Sequence, residues 1–102
     1  MLISNENYEI KNKLLGFEKR IEEMHMDFYK YYNGLEPKIP DWESLERELI
    51  VYSRKNIIDL QLNKNRDRIL HKFQNRKKIW KAWIEESHHR PGQKASDSSS
   101  EG

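Results

Sequence analysis

"VYSRKNIIDLQLNKN", residues 51 to 65, decides how this chain folds. Leading into it, Leu45, Leu49 and Tyr52 begin an apolar seam at helical spacing, but Asn56 and Asp59 occupy the next heptad positions and the seam fails. Beyond it a second rhythm takes over. Ile58, Ile69 and Trp80 are eleven residues apart, as are Leu62, Phe73 and Ile84, the repeat of a nearly straight helix rather than a tightly supercoiled one. Sharp bends in helices usually occur at Pro or Gly, and neither occurs between residues 41 and 90. That favours one unbroken helix over residues 42–87. The alternative is a bend within residues 56–65, with the chain folding back as a third helix.

Toward the N-terminus the pattern is plainer. Ile10, Leu14, Phe17, Ile21, Met24, Phe28, Tyr31 and Leu35 alternate spacings of four and three, which puts a heptad stripe on one helix face. Ser4 or Asn5 offers an N-cap, and with Ser4 as the cap Ile3 and Tyr8 are placed as a hydrophobic staple. Asn33-Gly34 ends the helix, because glycine accepts the left-handed conformation at a helix terminus. "GLEPKIP", residues 34–40, then forms a stiff connector whose two prolines lack the backbone donor a helix interior needs. Asp41 caps the next helix, with Glu43 favourably placed against its dipole.

Lengths follow from the rise of about 1.5 Å per residue: roughly 45 Å for the first helix and nearly 70 Å for an unbroken second one. In an antiparallel hairpin the first helix would run out opposite residue 70, leaving "RILHKFQNRKKIWKAWIEE", residues 68–86, as an overhang. Phe73, Trp80, Trp83 and Ile84 would then have no cover from their own chain, and large exposed aromatics mark interfaces. Arg66 and Arg76 lie on or beside this apolar stripe. In the hairpin Arg66 comes opposite Glu9, whereas Arg76 has no carboxylate to meet and is expected, like the four apolar residues, to contact another chain.

Composition limits the function classes. At 102 residues, 35% hydrophobic and 35% charged, the chain is one small domain with little core material and a composition suited to helices with solvated faces. There is no cysteine, which excludes disulfides, thiolate nucleophiles and cysteine-ligated zinc. "MLISNENYEI" is too short in apolar residues for a signal peptide or a membrane span, so a cytoplasmic protein without membrane contact is expected. Residues 1–53 hold seven Lys/Arg against eleven Asp/Glu, a net of −4, and residues 54–102 hold twelve against six, a net of +6. Such halves attract each other if they pair. If the basic half stood free it would attract nucleic acid, the alternative function for this chain, but its cations scatter around the helix instead of lining one face.

Other constellations carry less. "MHM" at 24–26 offers soft metal ligands, yet adjacent helix positions point apart, so it reads as a core methionine beside a surface histidine. His88-His89 falls where the helix should fray, with no third ligand nearby. No catalytic pair, cofactor motif or metal set stands out, so no enzymatic activity is expected. "HHRPGQKASDSSSEG", residues 88–102, is Ser-rich with no apolar periodicity and reads as a disordered tail behind a helical domain at residues 1–87.

The "FYKYYNGLEPKIP" connector, followed by an Arg-rich helix ending in Trp, resembles a family of small uncharacterised helical proteins from predatory and gliding bacteria. Phe28, Tyr31, Gly34, Leu35, Glu36, Pro37, Ile57, Leu62, Ile69, Lys72-Phe73 and Trp80 carry the likeness, which spans most of residues 14–86. Lys64, Arg66, Arg76 and Ala82 depart from its pattern. The resemblance implies a helical interaction module and no particular activity. The expectation as a whole is an all-α antiparallel hairpin with a long second helix, acting as a protein-binding adaptor or regulatory subunit and pairing first with itself as a homodimer.

Overall fold

The computed structural model describes residues 2–89, with side chains described from Glu6 to His88. Three helices account for most of them: α1 (Leu2–Tyr32), α2 (Trp42–Ser53) and α3 (Leu60–His89), and there is no strand among the described residues. The expected tail lies outside the described residues from position 90 onward, and α3 runs two residues past the expected end of the helical domain.

The unbroken second helix is not what forms. α2 ends at Ser53 and α3 begins at Leu60, so the chain turns within "VYSRKNIIDLQLNKN", residues 51–65. Side chains supply what Pro or Gly would otherwise impose. Asp59 is the N-cap of α3, its carboxylate accepting the Leu62 backbone N–H at 2.9 Å. At the other side of the break, the Arg66 guanidinium donates to the Tyr52 and Lys55 carbonyls, and the Asn63 amide donates to the Ile57 carbonyl. The first turns of α3 thus satisfy acceptors exposed by ending α2. Arg66 therefore does not face Glu9. Ile57 is buried, whereas Ile58, expected in the eleven-residue stripe, is 89% exposed outside either helix.

Turning there reverses the packing. α1 and α3 run parallel: Asn7 bonds to Asp59, Glu18 to Arg68, Glu22 to Arg76 and Tyr31 to Ser87. α2 is the antiparallel element, with Arg20 of α1 paired to Glu48, and Glu46 paired to Lys77 of α3. The hairpin geometry, in which α1 would oppose α3 head to tail, is replaced by an up-down-up arrangement. Nothing of α3 overhangs.

The two ends of α1 are set differently. Gly34 has φ 79°, its N–H bonds to the Tyr31 carbonyl and the Leu35 N–H to the Lys30 carbonyl, the paired 5→2 and 6→1 bonds of a Schellman motif. The helix stops at Tyr32 as Asn33-Gly34 implied, which leaves Leu35 74% exposed and outside the stripe. At the other end α1 already begins at Leu2, so Ser4 and Asn5 lie inside the helix instead of capping it. Asp41 caps α2 as expected, accepting from the Ser44 backbone at 3.2 Å and from its hydroxyl at 2.6 Å.

The core fills the space between the three helices. Ile10, Leu14, Phe17, Ile21, Phe28 and Tyr31 come from α1, Leu45 and Leu49 from α2, and Ile69, Phe73 and Trp80 from α3, with Ile57 closing the break. Its upper part is aromatic. Phe28 stacks on Trp80 at 4.9 Å between ring centroids, and Phe73 meets Trp80 edge-on at 5.7 Å.

Candidate functional site: the open seam between α1 and α3

Two parallel helices make two grooves, and α2 occupies one of them. The other runs along the faces of α1 and α3 that point away from α2, and heptad spacing generates its lining. Glu18 and Glu22 of α1 meet Arg68, Lys72 and Arg76 of α3: Arg68 is bidentate on Glu18 at 3.1 Å, Lys72 bridges both carboxylates, and Arg76 reaches Glu22 at 3.1 Å. Hydrogen bonds from Arg68 hold the Glu18 carboxyl below its ordinary range, and those from Lys72 do the same for Glu22. Lys72 is raised in turn, chiefly by Glu22. Here the acidic and basic halves of the sequence meet.

One heptad further along both helices the chemistry changes. Seven residues beyond Glu22 is Tyr29; seven beyond Lys72 is Ile79, and seven beyond Arg76 is Trp83. The ion-pair ladder therefore gives way to an apolar and aromatic patch. Tyr29 and Trp83 are 6.5 Å apart, Tyr32 stacks on Trp83 at 4.9 Å, and Met26 lies one turn back from Tyr29. Met26, Tyr29 and Ile79 are 55%, 52% and 40% exposed, while Trp83 is half-buried. In the other direction Leu15 and Tyr8, seven and fourteen residues before Glu22, are exposed on the same side of α1. At that end the seam opens into a groove lined by Tyr8, Lys11, Leu62, Lys64 and Arg68.

His25 sits beneath the patch. Its Nδ1 accepts the indole N–H of Trp80 at 3.0 Å, and its ring lies 5.4 Å from that of Trp83. Burial lowers its pKa from the ordinary histidine value; the positive charge of Arg76 acts in the same direction and Glu22 acts against both. The "MHM" triplet is thus divided as adjacent helix positions must be: Met24 packs on the core, Met26 faces outward, and His25 is a half-buried partner of Trp80 instead of a surface residue.

The five residues expected to contact another chain are distributed by this geometry. Phe73 and Trp80 are in the chain's own core, and Ile84 is partly buried against it, beside Trp42 and Lys81. Arg76 has its carboxylate in Glu22, which the hairpin could not supply because it placed the wrong part of α1 opposite. Trp83 is also packed against the core, and of the five it is the one that reaches the exposed patch, beside Tyr29. Tyr29, Met26, Ile79 and His25 were missed, although the seven-residue interval from Tyr8 through Leu15 and Glu22 to Tyr29 was there to be read beside the core stripe.

No helix among the described residues is long and apolar enough to cross a membrane. The chain matches no family model, no curated protein and no solved structure.

Proposed function

We propose that this chain is a non-enzymatic protein-binding module, an adaptor or regulatory subunit, and that its first partner is a second copy of itself, docked along the open α1–α3 seam. The observation that carries this reading is the apolar surface of Met26, Tyr29 and Ile79 beside Trp83, which no further helix among the described residues covers although α2 covers the opposite groove. Scattered surface hydrophobics need no explanation; a joined aromatic patch flanked by ion pairs has the composition of an interface core and rim. Specific two-fold interfaces begin at about 1,200 Å² in total, or about 600 Å² per chain, and Leu15 and Tyr8 extend the exposed apolar surface of α1 toward that size. The nucleic-acid reading loses support because Arg68, Lys72, Arg76 and Lys77 are engaged by Glu18, Glu22 and Glu46 of the same chain.

Sedimentation over a range of concentrations tests it. Met26→Ser with Tyr29→Ser should weaken association by tenfold or more while leaving the helical signal intact, since both side chains point outward. Val51→Ser, on exposed α2 surface, should change nothing. A wild type that stays monomeric at the highest concentrations overturns the self-pairing.

A further inference from the structure

The contact between His25 and Trp80 fixes more than packing. An indole nitrogen is a donor only, so the atom facing it at 3.0 Å must be an acceptor, and Nδ1 of His25 accepts only when the imidazole is neutral with its proton on Nε2. Protonating His25 puts an N–H on Nδ1, against the N–H of Trp80. Trp80 cannot turn away: it is fully buried, stacked on Phe28 and edge-on to Phe73, and its N–H is left without the acceptor it had. His25 has somewhat more freedom, because it is only partly buried.

We propose that His25 is an acid-sensitive latch between α1 and α3, closed while neutral on Trp80 and opened by a single proton that makes the two rings repel as donors. The charged groups acting on the ring are Arg76 on α3 and Glu22 on α1, themselves joined at 3.1 Å, so their opposing effects partly cancel and burial is left as the leading cause of its lowered pKa. Opening moves the His25 ring away from Trp80, and Trp83 loses the ring 5.4 Å from its own. Trp83 is left with Tyr29 and Tyr32, on the same helix as His25, and with the core it packs against. The patch on the open seam is therefore reorganised by the same proton.

The sign of the effect is set. A histidine whose folded pKa lies below its ordinary 6.5 is protonated more readily in the unfolded chain, so stability is full above that value and falls as the pH drops below it. Nitrogen-15 NMR of the full chain should show His25 neutral with the proton on Nε2 at pH 7.5, titrating below 6.5, and the Trp80 indole N–H resonance should move with the same midpoint. His25→Gln keeps an acceptor for the indole but cannot titrate, so its thermal midpoint should be flat between pH 7.5 and 5 while that of the wild type falls. Trp80→Phe removes the donor and should raise the His25 midpoint toward 6.5. An Nδ1-protonated tautomer, a His25 midpoint at or above 6.5, or an indole signal indifferent to His25 would overturn the latch, and these are read on the wild type even if a variant fails to fold. Loss of self-association on acidification is a further consequence that rests on the proposed seam interface. It fails separately, since the NMR titration is made on dilute monomer.

Discussion

Trp80 is where single-residue reasoning is most exposed. A tryptophan in a basic helix reads as an interface residue only if nothing else covers it, and here Phe28, Phe73 and His25 do. Trp80→Ala should therefore cost about 3–5 kcal/mol and lower the denaturation midpoint of the monomer itself, a loss that chemical unfolding would measure and that dilution would not mimic. Phe28→Ala should fall in the same range, because it removes the ring on which Trp80 stacks. The core side of α1 was legible from spacing alone, since alternating fours and threes put Ile10 through Tyr31 on one face whatever they pack against. The site was not. Tyr29 and Met26 lie one or two positions off the core stripe, and whether such flanks are covered depends on which groove α2 fills, a tertiary fact that no periodicity contains. His25 was misplaced for the same reason: its worth depends on a tryptophan 55 residues away.

At the scale of the element, helix ends were read better than the break between helices. Asn33-Gly34 and Asp41 act through local backbone chemistry, which residue identity specifies directly. The turn at 54–59 relies instead on Asp59, Asn63 and Arg66 bonding across it, and only Asp59 offers a local signal. Asp59→Ala should cost about 1 kcal/mol by removing the cap of α3, measurable as a lower urea midpoint with unchanged slope. Arg66→Ala should cost about 1 kcal/mol, because the Lys55 carbonyl loses its guanidinium donor and the Tyr52 carbonyl is left with the Lys55 N–H alone. Gly16 offers the opposite opportunity. It lies mid-way along α1 with nothing within 4 Å of where a Cβ would stand, so Gly16→Ala should raise stability by about 0.5–1 kcal/mol.

Across the whole molecule, charge asymmetry between the halves becomes the ladder of Glu18 and Glu22 with Arg68, Lys72 and Arg76. The lowered pKa values of Glu18, Glu22 and Glu48 mean that their contribution is full above the ordinary 4.5 and is lost as the pH falls through the lowered folded values. A melting-temperature profile should therefore decline in two stages on acidification, the first below 6.5 absent in His25→Gln and the second below 4.5 present in both. Added salt should shrink the second stage, which rests on exposed ion pairs, and leave the first, led by burial, little changed. The parallel disposition of α1 and α3 has a kinetic consequence as well. Bonds that join them link residues 50 to 56 positions apart, about half the chain, whereas a bundle of neighbouring hairpins joins its helices through near contacts. Closing so long a loop comes before any reward from the seam, which places this all-helical chain among slower folders than its helix content suggests. The antiparallel α1–α2 pair, joined at Arg20 and Glu48 across 28 positions, closes the shorter loop, but α1 and α3 share most of the packing, so once the bundle has formed α2 is the element that should leave first.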